Sequence, residues 1–281
     1  MRKSGPIQLE NGSMSANIES YCKLLSLSSI ANNYEHMAMD ATKTKISYQE
    51  YIYKLLQQQI IDRVDRSVNA KIKKAGFPYI ATLEMFDFSF QPTIDEKLLR
   101  ELATLNFLND AKNILLVGAP GVGKTHLAIA IGLEATKQRR RVKFITAEEL
   151  TNELIAARQS NTLASYLEAS SRIELLIIDE IGYLDIQKES ASLFFRLISK
   201  RYEKSSTIIT TNKPFEEWAD VFGDEVVASA ILDRLLHHSY PFLINGPSYR
   251  MKELFKKRKQ NEQKDGFNKS SIQGDEKLQE E

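Results

Sequence analysis

"NILLVGAPGVGKTHLAIAIG", residues 113–132, decides the fold. Asn113 to Val117 form a short apolar run with branched side chains, the composition of a buried strand. Glycines at 118, 121 and 123 then break the run, and from Lys124 onwards the chain has the make-up of a helix. A strand that turns through glycines into a helix is the setting that gives the pattern G-x-x-x-x-G-K-[ST] its meaning as a phosphate loop. Gly118, Gly121 and Gly123 let the loop that also contains Ala119, Pro120 and Val122 wrap its N–H groups around a β-phosphate. That phosphate also sits at the positive end of the following helix. Lys124 would bridge β- and γ-phosphate oxygens of a nucleoside triphosphate, and Thr125 would place its hydroxyl on Mg²⁺. His126 completes the candidate nucleotide contacts. A glycine-rich strand–helix turn with an exposed lysine does not explain the threonine.

Working outward, "VKFITA" (142–147), "IELLIID" (173–179), "STIITT" (206–211) and "YPFLIN" (240–245) read as further strands separated by amphipathic segments. Thr146 and Glu149 in "TAEE" form a capping box that opens a helix through Leu150 and Leu154. Strands alternating with helices predict an α/β fold, a parallel sheet flanked by helices, with its ligand at the carboxyl ends of the strands.

"LLIIDEIGYL" (175–184) adds two adjacent carboxylates to the end of an apolar run. Burying a carboxylate costs several kcal/mol unless a cation or a reacting water needs it there. Asp179 is placed to hold Mg²⁺ through water, and Glu180 to polarise the water that attacks the γ-phosphate. The competing reading is a strand that simply ends in solvated acids. An acid pair at this position points to hydrolysis rather than to phosphoryl transfer onto a small molecule. Asn212, closing "TIITTN", is placed to orient the water and touch the γ-phosphate, although a Thr-Asn after a strand also serves as a turn or helix cap.

Ahead of this domain lies a different pattern. Residues 1–17 mix Gly, Ser, Asn and charge and read as a flexible arm. Residues 18–77 form a small helical module: one amphipathic helix through Leu24, Leu27, Ser28, Ala31 and Tyr34, then a stronger one from a Ser47–Glu50 capping box through Ile52, Leu55, Leu56, Ile60 and Val64. Gly76 and Pro78 stop the second helix. The first 80 residues carry eleven lysines and arginines against seven acids. Two readings of that excess stay open: a solvated helical face, or contact between DNA phosphates and Arg63, Arg66, Lys71, Lys73 and Lys74. In "LEMFDFSFQP" (83–92), Phe86, Phe88 and Phe90 alternate, so an extended segment would lay three rings on one side, for core packing or for base stacking. "TIDE" (93–96) is a further capping box, expected to open a helix to about Phe107.

Composition excludes little. The 281 residues are 42% hydrophobic and 27% charged, with a formal net charge of +1, so any electrostatic argument must be local. A single cysteine, Cys22, forbids an internal disulfide and suits a reducing cytosol. No Cys/His cluster suggests zinc, and adjacent His237 and His238 would diverge on a helix. No signal-like or membrane-spanning run stands out, and the expected location is the cytoplasm.

The phosphate-loop stretch, "LLIIDEIGYL", "STIITTNKPFEEWADVFGD" (206–224), "AILDRLLHHS" (230–239) and "GPSYRMKE" (246–253) together resemble the IstB family of transposition helpers. This is a branch of the AAA+ ATPases related to the DnaC helicase loaders and, more distantly, to DnaA. The similarity spans roughly residues 20–255 and includes the helical module and its connector. It implies an AAA+ ATPase domain over 78–255 and an N-terminal module that binds DNA or a partner. By the same resemblance, Lys124 and Thr125 match Walker A, Asp179 and Glu180 match Walker B, and Asn212 matches sensor 1. Arg234 matches an arginine finger that acts on a neighbouring subunit's γ-phosphate, with a local ion pair to Asp233 as the plainer alternative. Arg250 matches a further phosphate sensor or a DNA contact. The resemblance further implies a homo-oligomer on double-stranded DNA, a cognate transposase as partner, and ATP hydrolysis as the release step. A DnaC-like helicase loader is the alternative, since it shares nearly every motif. Residues 256–281 depart from the motifs, a basic run with a polar acidic end that reads as disordered.

Overall fold

The computed structural model describes residues 13–183, 186 and 188–252. Residues 1–12 of the expected arm (1–17) and the expected tail over 256–281 lie outside them. The chain divides into two compact units, Met1–Ala70 and Lys71–Glu281.

In the first unit, helix α1 spans Met14–Leu24, α2 spans Ser28–Thr44, and α3 begins at Tyr48 and runs to Ala75, across the unit boundary. Ser13 caps α1 by accepting from Ala16 N–H, so helix begins inside the expected arm. The single helix read through Leu24 and Tyr34 is two, because Ser26 adopts φ 57° and breaks the run. Ser47 caps α3 by accepting from Glu50 N–H at 3.2 Å, while the Glu50 carboxylate pairs with Lys54 at 2.9 Å instead of completing the box. The stripe expected to face inward on α3 is largely solvent-facing: Leu55 is buried, but Ile52, Leu56 and Ile60 are exposed. Polar groups pin this helix instead. Gln59 accepts from the backbone N–H of Ser29 at 3.0 Å, the Ser29 hydroxyl donates to Asp62, and Arg63 donates to the Ser26 carbonyl at 2.8 Å.

The second unit is built on five parallel strands in the order β2-β3-β4-β1-β5: β1 Asn113–Gly118, β2 Val142–Thr146, β3 Leu175–Ile181, β4 Ser206–Thr211 and β5 Ser239–Ile244. Central strands of a parallel sheet are covered on both faces, which is why they read as unbroken apolar runs. Successive residues divide between two cores. Ile114, Leu116, Ile177 and Ile208 face the side of helix α5 (Lys124–Lys137), where Leu127, Ile131, Leu99 and Phe107 pack. Leu115, Leu176, Ile178 and Ile209 face α6 (Ala147–Gln159) and α8 (Lys188–Arg201), packed with Leu154, Phe194, Trp218 and Phe222. The Thr146–Glu149 capping box is complete at the start of α6. Arg201 is buried at the base of this layer, donating to the carbonyls of Ser170, Ile173 and Ser206 and to the Thr207 hydroxyl, and burial pulls its pKa down to about 9.

Three local expectations change. The connector is not extended: 83–85 and 88–90 are short 3-10 turns, yet the rings still gather, with Phe86 4.9 Å from Phe88 and 5.5 Å from Tyr249. The helix expected to reach Phe107 is α4, Glu96–Leu102, capped by Asp95 rather than Thr93, because Leu105 takes φ 71° and turns the chain. An unforeseen helix, α7, fills Leu163–Ser171.

Candidate functional site

The carboxyl ends of β1, β3 and β4 meet at one rim, and a cavity of about 250 Å³ opens there. The phosphate loop forms its floor. Gly121 (φ +83°) and Gly123 (φ +100°) hold conformations that side chains rarely adopt. A Cβ at Gly121 would stand 2.1 Å from the Ser248 hydroxyl, and one at Gly123 would stand 2.5 Å from the Phe86 ring. Lys124 Nζ donates to the carbonyls of Gly118 at 2.7 Å and Ala119 at 2.9 Å, folded back over the loop. Burial holds the ammonium below the ordinary lysine range, and Asp179 offsets part of that cost.

Opposite the lysine stands the acid pair. Asp179 is 4% exposed and accepts from the Thr125 hydroxyl at 2.9 Å. Glu180 follows in a β-bulge, since the pairing with β4 slips between Ile178 and Ile181, and it takes φ 65°. Backbone in that region is costly for a residue with a side chain and persists only where surroundings impose it. Glu180's side chain is exposed and lines the cavity, which Arg250 and His126 also border. His126 shares a 2.8 Å hydrogen bond with the Thr82 carbonyl and meets Phe86 edge-on.

The segment around Arg250 is tied to the loop directly. Tyr249 N–H donates to the Gly121 carbonyl at 2.9 Å, its ring packs 4.6 Å from Phe90, and its hydroxyl donates to the Asp87 carbonyl. Lys252 reaches the Asp87 carboxylate at 3.0 Å. These contacts bring residues 247–252 against the connector, which sequence periodicity gave no means of foreseeing.

Other candidates sit elsewhere. Asn212 lies behind Gly182 rather than on the cavity wall, and its Oδ1 is buried with no hydrogen-bond partner among the described residues. Arg234 lies outside the cavity: it donates to the Ala230 carbonyl at 3.0 Å and covers the Phe195 ring at 4.6 Å. Its contacts among the described residues are thus a carbonyl and a ring, not the ion pair with Asp233 or a neighbour. Arg66 donates to the Ser28 hydroxyl and Lys71 to the Arg139 carbonyl, while Lys73 and Lys74 are exposed. His237 and His238 follow the end of their helix, Glu225–Leu236, so they converge rather than diverge, with ring centroids 4.0 Å apart beside Glu203. They stand at the amino-terminal rim of the sheet, just before β5, opposite the phosphate loop.

Two residues that the sequence did not single out complete the cavity. Thr210 accepts from Glu180 N–H at 2.9 Å and donates to Asp179 at 2.5 Å, and Tyr79 lines the connector side. A hydroxyl in a fully buried central strand needs a partner, and that was the available signal for Thr210.

The donor set fits a magnesium nucleotide. Lys124 supplies the buried cation, and Thr125 with Asp179 supplies the neighbouring hydroxyl and carboxylate that a hard divalent ion takes.

Asp179 also carries a stability cost. Burial dominates and raises its carboxyl above the ordinary aspartate range, so the folded chain binds that proton more tightly than the unfolded chain. The stability from this group is therefore present at low pH and lost as pH rises through the folded pKa. Asp179→Asn should raise the thermal midpoint of the nucleotide-free protein at pH 7, and the gain should shrink as pH falls through that pKa. Thermal unfolding across pH 4 to 8 checks this; a variant less stable than wild type at pH 7 would contradict it.

The family model described as IstB-like ATP binding protein matches residues 20–258. The chain is 47% identical over 229 residues to an insertion sequence IS21 protein of Pseudomonas aeruginosa named for ATP binding, covering 82% of this chain and 86% of that one. It is 44% identical over 252 residues to the corresponding insertion sequence IS5376 protein of Geobacillus stearothermophilus, covering 90% of this chain and all (100%) of that one. Among solved structures, the replication initiator DnaA bound to AMPPCP and single-stranded DNA shares the fold, with a TM-score of 0.50 and 20% identity over 59% of this chain and 50% of that one. With a five-stranded parallel sheet, a phosphate loop at its carboxyl rim and these relatives, the chain belongs to the IstB-like family of insertion-sequence ATP-binding proteins and has an AAA+ P-loop fold.

Proposed function

We propose that this protein is an ATP-driven switch that assembles on double-stranded DNA and delivers the DNA to a partner transposase in the cytoplasm. ATP is the substrate. Lys124 neutralises its β- and γ-phosphates, Thr125 and, through water, Asp179 would hold Mg²⁺, and Arg250 adds positive charge from the same chain. The magnesium ion would supply charge neutralisation on the phosphate oxygens. Glu180 takes the proton of the attacking water.

The observation that carries this reading is the division of the arginines. Arg250 borders the phosphate-loop cavity of its own chain, while Arg234 lies outside it. A γ-phosphate completed by Arg234 of a neighbouring copy makes ATP the bond between subunits. DNA then lines up along basic residues of the N-terminal module, and Arg63, Arg66, Lys73 and Lys74 are the exposed candidates. Hydrolysis removes the γ-phosphate and releases the assembly. The relatives' place in insertion sequences supports a transposase as the partner. Among the described residues no helix is long and apolar enough to cross a membrane.

Sedimentation with and without duplex DNA, in ADP and in a non-hydrolysable ATP analogue, tests the switch. Growth in size only with DNA and triphosphate together is the expected result, and Arg234→Ala should abolish it while each subunit still binds ATP. A monomer under all four conditions would overturn the reading.

A further inference from the structure

We propose that Thr210 is the positioning residue that sets the two acids in separate roles, holding Asp179 to the metal side and Glu180 to the water side. Thr210 is 1% exposed, near the end of β4. Its hydroxyl has one proton to give, and gives it to Asp179 Oδ1 at 2.5 Å. The same oxygen accepts from the backbone N–H of Glu180 at 2.9 Å.

The second bond matters because of where it falls. The regular pairing of β3 with β4 lapses between Ile178 and Ile181. A buried backbone N–H in such a gap must find another acceptor. Thr210 supplies it from a side chain, and the peptide it holds carries Glu180 at φ 65°. Its two bonds thus act on adjacent residues at once, fixing one carboxylate directly and the other through its backbone. Thr125 also donates to Asp179, at 2.9 Å, but it makes no bond to Glu180, whereas Thr210 holds both residues through one hydroxyl.

This inference rests on Glu180 acting as the base for ATP hydrolysis, and its test separates the two. Thr210→Val keeps the shape and removes the hydroxyl. ATP affinity in magnesium, by titration, should stay within about threefold of wild type, while kcat falls about 10- to 100-fold, the effect of losing a hydrogen bond to a charged group. Thr210→Ser should restore most of the turnover. Wild type that binds ATP without hydrolysing it would sink the proposed function, whatever the variants do. Active wild type with an equally active valine variant would overturn the role of Thr210 alone. Should valine prevent folding, serine and alanine variants decide: serine active and alanine inactive supports positioning, and both equally impaired overturns it.

Discussion

Glu180→Gln should keep ATP and magnesium bound while its turnover falls about 10²- to 10³-fold, the range expected when a general base is removed from a positioned water. The substitution keeps the side chain's length and removes only its basicity. Glu180 is exposed at the cavity edge, and the bond that fixes it runs through its backbone N–H to Thr210, so the fold and the bulge should survive. The measurement is phosphate release with and without duplex DNA, paired with nucleotide binding. Wild-type turnover in the glutamine variant would remove Glu180 from the chemistry. Rapid, DNA-stimulated turnover in the wild type alone would exclude a nucleotide-bound scaffold that does not cycle.

Lys124→Ala should lose ATP affinity by about 10²-fold or more, since each charge-assisted hydrogen bond to a phosphate contributes about 1.5–3 kcal/mol and the lysine would make two. The fold should tolerate the change. Lys124 is 6% exposed, burial pulls its pKa down, and its partners without nucleotide are two carbonyls of its own loop. Losing an ammonium that burial disfavours relieves a cost in the empty protein. Differential scanning fluorimetry should therefore show a variant that melts close to wild type alone but gains nothing from ATP. A variant still stabilised by ATP as strongly as wild type would contradict the assignment.

The parallel sheet was legible because buried strands leave continuous apolar runs, and Ile114–Val117 and Leu175–Ile178 have no other plausible use. Local chemistry was legible too: Thr146 with Glu149 at α6, and Gly76 at the end of α3. What escaped depends on partners distant in sequence. Phe86, Phe88 and Phe90 alternate like a strand, yet two 3-10 turns gather them, because Tyr249 supplies a ring for two of them to pack against. The α3 stripe was read as buried, but the inward face is set by Gln59 and Asp62 bonding to Ser29, a choice no hydrophobic pattern encodes. Ser26 broke a helix through its backbone angle alone. Within the site, the loop and the acids were read from their own residues. Thr210 was not, because its meaning comes from a bulge in the neighbouring strand.

The most direct trial of the central claim is a crystal structure of the Glu180→Gln variant grown with ATP and magnesium. The expected result is one nucleotide at the carboxyl rim of the sheet, its phosphates against Lys124, its metal beside Thr125 and Asp179, and residue 180 facing the γ-phosphate. Nucleotide bound away from Lys124, or a metal that touches neither Thr125 nor the water around Asp179, would contradict the account.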